Sequence, residues 1–218
     1  MALALFDLDN TLIAGDSDHS WGEFLVQQNL VNSSVYKSVN DQFLKDYEAG
    51  NLDILAYLEF SLAPLIGKTP ASLGSLHDKF MSEIITPLKL PKAMHLLDGH
   101  RRAGDRLIVV TSTNRFIVEP IVRSFLIGEL LATDPEIING RFTGRIQGIP
   151  TFQGGKVERV NLWLSQNNET LSGSYFYTDS INDLPLLNEV DYPIAVDPDK
   201  DLEQVAKEKR WKIISLRN

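Results

Sequence analysis

The chain has 218 residues, 43% of them hydrophobic and 23% charged, the proportions of a globular protein with a buried core. A net charge of −8 with no basic stripe speaks against nucleic acid as a partner, and the lack of cysteine excludes disulfides and thiolate metal sites. No apolar run approaches the ~18 residues of a membrane span and no basic leader precedes one, so a cytoplasmic protein without a membrane partner is expected.

In chain order, Leu3–Phe6 reads as the first strand, and Asp7, Asp9 and Thr11 follow it directly. Roughly ninety residues pass before the next strand, far beyond the 2–6 of a usual βα loop. That stretch has helical periodicity over 20–31, 35–50 and 52–67, which predicts an α-helical lid at 16–88 inserted into a core of 1–15 and 89–218. A helix from Pro91 ends near Gly104 and feeds a second strand, Leu107–Val110, followed by Thr111, Ser112, Thr113 and Asn114. Glycines across 139–155 suit a β-hairpin flap. Residues 154–166 read as a helix with Lys156 in its first turn and Val157, Val160, Leu162 and Leu164 as most of its apolar face. Tyr175–Tyr177 is a third strand, followed by Asp179, Ser180, Asn182 and Asp183. Pro193–Val196, a helix at 201–210 and a strand at Lys212–Ser215 complete the chain, which shows no internal repeat. Alternating strands and helices predict an α/β fold, a Rossmann-like parallel sheet covered by helices.

In an open α/β sheet, ligands bind outside the carboxyl ends of the strands, where these acids, hydroxyls and Lys156 would converge. Carboxylates grouped so tightly repel one another unless a cation sits among them. With oxygen donors alone, the expected ion is Mg²⁺, which leaves places for water and phosphate oxygens. The lysine, hydroxyls and helix-start N–H groups suit a phosphate. One carboxylate can attack phosphorus, and a second, two residues on, can protonate the leaving alcohol and later activate water. Taken singly, Asp9-Asn10-Thr11 would also serve as a turn and helix cap, and Asp183 as an N-cap for the segment after it.

Asp7-x-Asp9-x-Thr11 after a strand, Thr111 after "LIVV", Lys156 and "TDSINDLPLL" resemble, in order and spacing, the four motifs of the haloacid dehalogenase superfamily. The lid between the first two motifs resembles that of the C1-capped, phosphoserine phosphatase-like branch. The resemblance implies Asp7 as nucleophile and Mg²⁺ ligand. Asp9 would be general acid/base, its carbonyl also facing the metal. Thr111 and the N–H of Ser112 would hold the phosphoryl oxygens, and Lys156 would neutralise the developing charge. Asp179 would complete the metal site, with Asp183 in support and Asn182 near the phosphate.

The resemblance also places Asp16 where phosphoserine phosphatases meet the substrate's amino group; the alternative for Asp16, Asp18 and Glu23 is a set of solvated loop acids. Where those enzymes carry a basic run for the substrate carboxylate, this chain has Leu58-Glu59-Phe60-Ser61, and a carboxylate buried there without a cation would cost heavily. An ester with a cationic end and no carboxylate is therefore expected: histidinol phosphate, phosphoethanolamine or phosphocholine. The wider pattern resembles a bacterial histidinol-phosphatase-like subgroup, which favours the first. Trp21, Phe24, Tyr57 and Phe60 either pack against that end or form lid core. Of the four histidines, which show no metal spacing, His19 is the one placed to touch substrate. Phosphoserine hydrolysis, transfer to a second alcohol and a non-catalytic phosphometabolite sensor are the rival functions. Monomer and homo-oligomer both stay open.

Overall fold

The computed structural model describes residues 2–217. Seven strands form one sheet in the order β4-β3-β2-β1-β5-β6-β7. β1 (Leu3–Phe6) is central, parallel to β2 (Arg106–Asn114) through Leu3↔Arg106 and to β5 (Tyr175–Thr178) through Ala4↔Tyr175. β6 (Tyr192–Val196) and β7 (Lys212–Ile214) continue in parallel. On the other side β3 (Glu129–Ile138) runs parallel to β2 in its first half and antiparallel to β4 (Arg141–Gln147) in its second.

The helices follow the expected alternation. Between β1 and β2 run α1 (Ser17–Gln27), α2 (Ser33–Glu48), α3 (Ile54–Leu62), α4 (Gly74–Phe80) and the single turn α5 (Thr86–Leu88). α6 (Pro91–Ala103) leads into β2 and ends at Gly104, whose φ of 78° gives the left-handed cap that glycine adopts without strain. α7 (Arg115–Ser124) follows β2, α8 (Gly154–Asn167) follows β4, α9 (Leu184–Leu187) follows β5, and α10 (Lys200–Lys209) follows β6. The result is the α/β, Rossmann-like architecture that the strand and helix pattern predicts.

A strand's side chains alternate between faces, and the core divides accordingly. Ala4 and Phe6 of β1, Val109 of β2 and Ile194 and Val196 of β6 pack on the side of α1, α6 and α7. Leu3, Leu5, Ile108, Val110 and Ala195 pack on the side of α8, α9 and α10. Burial on both faces is why β1 is an unbroken apolar run. α1 belongs to this core, since Trp21, Phe24 and Leu25 join the sheet's cluster together with Phe80 and Ile85. α2 behaves differently: it buries only Asn40, and with α3 it walls a cleft above the strand tips.

Two strands exceed the expectation. β3 mixes Glu129, Asp134 and Glu136 with apolar residues and slips register between Pro135 and Ile137, so its two-residue period is broken. The hairpin expected over 139–155 exists in its first part, where Asn139 (φ 51°) and Gly140 (φ 75°) turn β3 into β4. Residues 148–153 instead lead into α8. β2 also runs further than expected, to Asn114. Its pairing with β3 shifts between Val110 and Asn114, which bulges Thr111–Thr113 toward the cleft. No helix among the described residues is long and apolar enough to cross a membrane.

Candidate active site

Two central strands deliver the acids. Asp7 follows β1, and its N–H donates to the Tyr177 carbonyl of β5 at 2.8 Å. Asp179 follows β5. Its carbonyl accepts from the Asp199 N–H at 2.8 Å, and the Asp199 carboxylate accepts from Ile181 N–H and Leu202 N–H, both at 2.7 Å. The cap of α10 thus holds the Asp179–Asp183 loop in place. Lys156 comes from the first turn of α8 and is fully buried.

Beneath the cleft, Lys156 Nζ donates to Asp7 Oδ1 at 2.9 Å and to Asp183 Oδ2 at 2.8 Å. Thr178 Oγ1 donates to the same Asp183 oxygen at 2.6 Å. The Asp183 carboxylate therefore braces Lys156 and makes no cap bond to α9, although it stands at the N-cap position. Asp9 is pinned by the Ser17 N–H at 2.7 Å and Thr113 Oγ1 at 2.9 Å, and Asp179 accepts from Thr11 Oγ1 at 3.1 Å. The Thr111 hydroxyl, almost fully buried, accepts from the Thr113 N–H at 3.3 Å. Asn182 is turned to other partners. Its Oδ1 accepts from Gln153 Nε2 at 3.1 Å, and its Nδ2 donates to the Tyr47 carbonyl at 3.0 Å, joining the loop after β5 to the end of α2.

Burial dominates the electrostatics. It pushes the Asp7 carboxyl up to about 7, with Lys156 opposing the rise and Asp183 adding to it. Asp9 is held well above the usual carboxylate range by burial and then by Asp16, and Asp179 by burial and then by Asp7 and Asp183. Burial alone would lower Lys156, but Asp183 and Asp7 outweigh it and keep the ammonium charged.

The cleft encloses about 570 Å³ of empty space, part of it open solvent. Asp7, Asp9, Asp16, Asp18, Thr111 and Ser112 line it, whereas Lys156, Asp179, Asn182 and Asp183 do not. Asp16 also caps α1, accepting from the His19 N–H at 2.8 Å. Of the aromatics that could have packed against substrate or formed lid core, Tyr57 lines the cleft, Trp21 and Phe24 are core, and Phe60 stacks on Tyr36 at 4.4 Å. The segment Leu58–Ser61 is likewise turned away, with Glu59 exposed and Leu58 and Ser61 buried, because α3 presents its earlier turn, Ile54 and Tyr57. Phe43, Leu44 and Tyr47 of α2 are lining residues that sequence reasoning missed, although with Asn40 they share the three- and four-residue spacing of one helix face. Among the described residues, none that lines the cleft is lysine or arginine.

His19, Glu23 and Asp41, brought together by α1 and α2, place ligand atoms within 4.8 Å of one another. Lys37 already occupies that cluster, with Nζ 2.7 Å from Glu23 and 3.7 Å from Asp41. The side chains of Asp7, Asp9 and Asp179 do not gather that closely.

An open parallel sheet that collects buried acids, a lysine and hydroxyls at its carboxyl edge defines a phosphoryl-handling α/β enzyme. The model of the haloacid dehalogenase-like hydrolases matches residues 4–188, and the chain belongs to that family. A histidinol-phosphatase of Neisseria meningitidis is 44% identical, with 99% of each chain covered. A phosphoserine phosphatase of Mycobacterium tuberculosis is 30% identical, over 99% of this chain and 71% of that one. A Bordetella pertussis protein of unknown function superposes with a TM-score of 0.92 at 42% identity, with 99% of each chain covered. A substrate-bound phosphoserine phosphatase shares the fold at a TM-score of 0.71 and 15% identity, over 99% of this chain and 93% of that one. The enzyme is a phosphatase of this family.

Proposed function

We propose that the enzyme is a Mg²⁺-dependent phosphomonoesterase that works through a phospho-aspartate at Asp7 on a small nitrogen-bearing ester, with histidinol phosphate the favoured substrate. The observation that carries this reading is the Asp7–Lys156–Asp183 network beneath a cleft lined by Asp16 and Asp18, with no lysine or arginine in its lining.

In this reading the phosphoryl group sits among Asp7, Thr111 and Ser112. An Asp7 oxygen forms the new bond to phosphorus as the ester P–O bond breaks, and the leaving alkoxide takes a proton from Asp9. Burial and the neighbouring acids favour protonated Asp9 at the outset, and Ser17 and Thr113 hold its carboxyl in one orientation. Asp9 then takes a proton from water, whose oxygen attacks phosphorus and frees Asp7 and inorganic phosphate. Lys156 balances charge at Asp7 throughout. Within the expected lid of residues 16–88, α2 and α3 would cover this centre, with Asn182 as the tie to α2.

The donors fit a hard divalent ion. Asp7, Asp179 and the Asp9 carbonyl are all oxygen, and one lysine shared with Asp183 cannot balance Asp7, Asp9 and Asp179. Those three groups would hold Mg²⁺, which when bound supplies positive charge beside the phosphoryl oxygens.

The choice of ester follows from the lining. His19, the one basic side chain there, has Nε2 committed to Asp41 at 2.9 Å, which leaves a substrate carboxylate without a cation while Asp16 offers a partner to an amine. A panel of histidinol phosphate, phosphoserine, phosphoethanolamine and sugar phosphates, with and without Mg²⁺, tests the reading. Expected is Mg²⁺-dependent release of phosphate, with kcat/KM for histidinol phosphate at least about tenfold above phosphoserine. A preference for phosphoserine would overturn the substrate assignment. An added alcohol that captures the phosphoryl group would identify a transferase.

A further inference from the structure

Asp18 lines the cleft and has no task in the reaction above. It sits in the first turn of α1, two residues beyond Asp16, is 8% exposed, and borders the cleft. The basic neighbours on α1 and α2 are committed elsewhere, His19 to Asp41 and Lys37 to Glu23 and Asp41. Tyr57 of α3 lines the cleft with Asp18, and its hydroxyl and that of Tyr36 on α2 lie near the carboxylate. A carboxylate so enclosed is costly unless a donor reaches it.

Its place along the cleft follows from the start of α1: the Ser17 N–H donates to Asp9 at 2.7 Å, and Asp16 and Asp18, on either side of Ser17, both line the cleft. Burial and then Asp16 push the Asp18 carboxyl up to about 7. Phe43, Ile54 and Tyr57 wall the same cleft. A nearly buried acceptor between aromatic and apolar walls has the chemistry to seat a flat ring that carries an N–H.

We propose that Asp18 is a specificity-determining residue: beside Tyr57 it accepts an N–H from a second nitrogen group of the substrate, carried beyond the amine that Asp16 meets. The imidazole of histidinol phosphate is such a group. The inference rests on reading the cleft as the seat of a nitrogen-bearing phosphate ester and adds a demand for two nitrogens instead of one. A substrate with an apolar ring in that place would strand the carboxylate, a stronger basis for rejection than a difference in size.

The test compares histidinol phosphate with phenylalaninol phosphate, which keeps the amine and replaces imidazole by phenyl. Wild type should prefer histidinol phosphate by at least about tenfold in kcat/KM. Asp18→Asn removes the charge, and Asp18→Leu removes the acceptor while keeping the size. Both should shrink that preference, by about tenfold for Asn and up to about a hundredfold for Leu, chiefly through KM for histidinol phosphate. Tyr57→Phe should shrink it less. If both variants keep the preference, or lose both esters equally with kcat falling and KM unmoved, the inference fails alone and the phosphatase reading stands. A wild type that hydrolyses neither ester overturns the reading of the cleft as well.

Discussion

Lys156→Met keeps the length of the side chain and removes its charge from a fully enclosed place. Side-chain exposure is 1% for Lys156, 5% for Asp7 and 1% for Asp183, so water cannot take over the role of the ammonium. Removing one partner of a buried ion pair costs about 3–5 kcal/mol, a large share of the 5–15 that holds a domain folded. Asp183 would keep its bond from Thr178 at 2.6 Å, whereas Asp7 would lose its ammonium donor, so the loss should lie within that range. Urea unfolding, followed by tryptophan fluorescence in EDTA, should show Cm falling by roughly 1–2.5 M for an m-value of about 2–3 kcal/mol/M. The pH dependence has a definite sign. Asp7 has a folded pKa raised from 3.8 to about 7, so its stabilising contribution is full below the lower value and is lost as pH rises through the higher. Without Lys156 its carboxyl rises further, and the deficit of the variant at pH 8 should exceed that at pH 5. Lys156 itself, raised above 10.5, contributes fully throughout this window. Asp183→Asn added to the variant should recover at least about 1 kcal/mol, because one orphaned charge is gone. A loss below about 1 kcal/mol, or equal deficits at the two pH values, would refute the reasoning.

Asp7→Asn should lower phosphate release at least about a thousandfold while circular dichroism and Tm stay unchanged or improve, since a costly buried acid becomes neutral. Substantial turnover in that variant would rule out Asp7 as the nucleophile. In Gly155→Ala the added Cβ would stand 2.0 Å from the Pro150 carbonyl oxygen, a backbone atom that cannot swing aside. It should cost about 1–3 kcal/mol and reduce kcat by displacing Lys156 next door; an unchanged Tm would show that residues 150–155 yield freely. Mg²⁺ should raise Tm, with about 2.7 kcal/mol of stabilisation at a hundred times Kd. Titration calorimetry near pH 6.5 in buffers of different ionisation heat should also detect proton release, because the ligating carboxyls of Asp7 and Asp179 hold protons above the usual range. The absence of both a Tm shift and released protons would count against a divalent ion among these residues.

The strand tips were legible because a doubly covered parallel sheet writes itself as apolar runs that end in polar residues, and β1 stops where Asp7 begins. Lys156 was legible through the helix that carries it. β3 was not, because its second half pairs with β4 beyond the parallel sheet and tolerates Asp134, Pro135 and Glu136. α7 was hidden by Pro120, an interior proline that argues against a helix, yet Ile117, Val118, Ile121 and Val122 bury one face of it. The cleft walls were the least legible part. Phe43 and Tyr47 lie on a mostly exposed helix, and only the way α2 is set over the strand tips makes them lining residues. Glu59 shows the reverse error, since position along the chain did not reveal which turn of α3 faces inward.

The position of β1 bears on how the chain acquires its activity. Leu3 pairs with Arg106 and Ala4 with Tyr175, so every ladder bond of the first strand reaches far downstream. At about 5–20 residues per second, a ribosome needs roughly 9–35 s to reach Tyr177 after making Phe6. Until β2 is made, roughly 5–20 s after Phe6, four apolar residues destined for the sheet's centre have no neighbour to pair with, and contacts of such long range also close slowly. A chain cut short before β5 carries Asp7 but lacks both the strand beside it and Asp183 behind Lys156. Competence therefore arrives late and all at once, and nascent or truncated fragments should be inert toward phosphate esters.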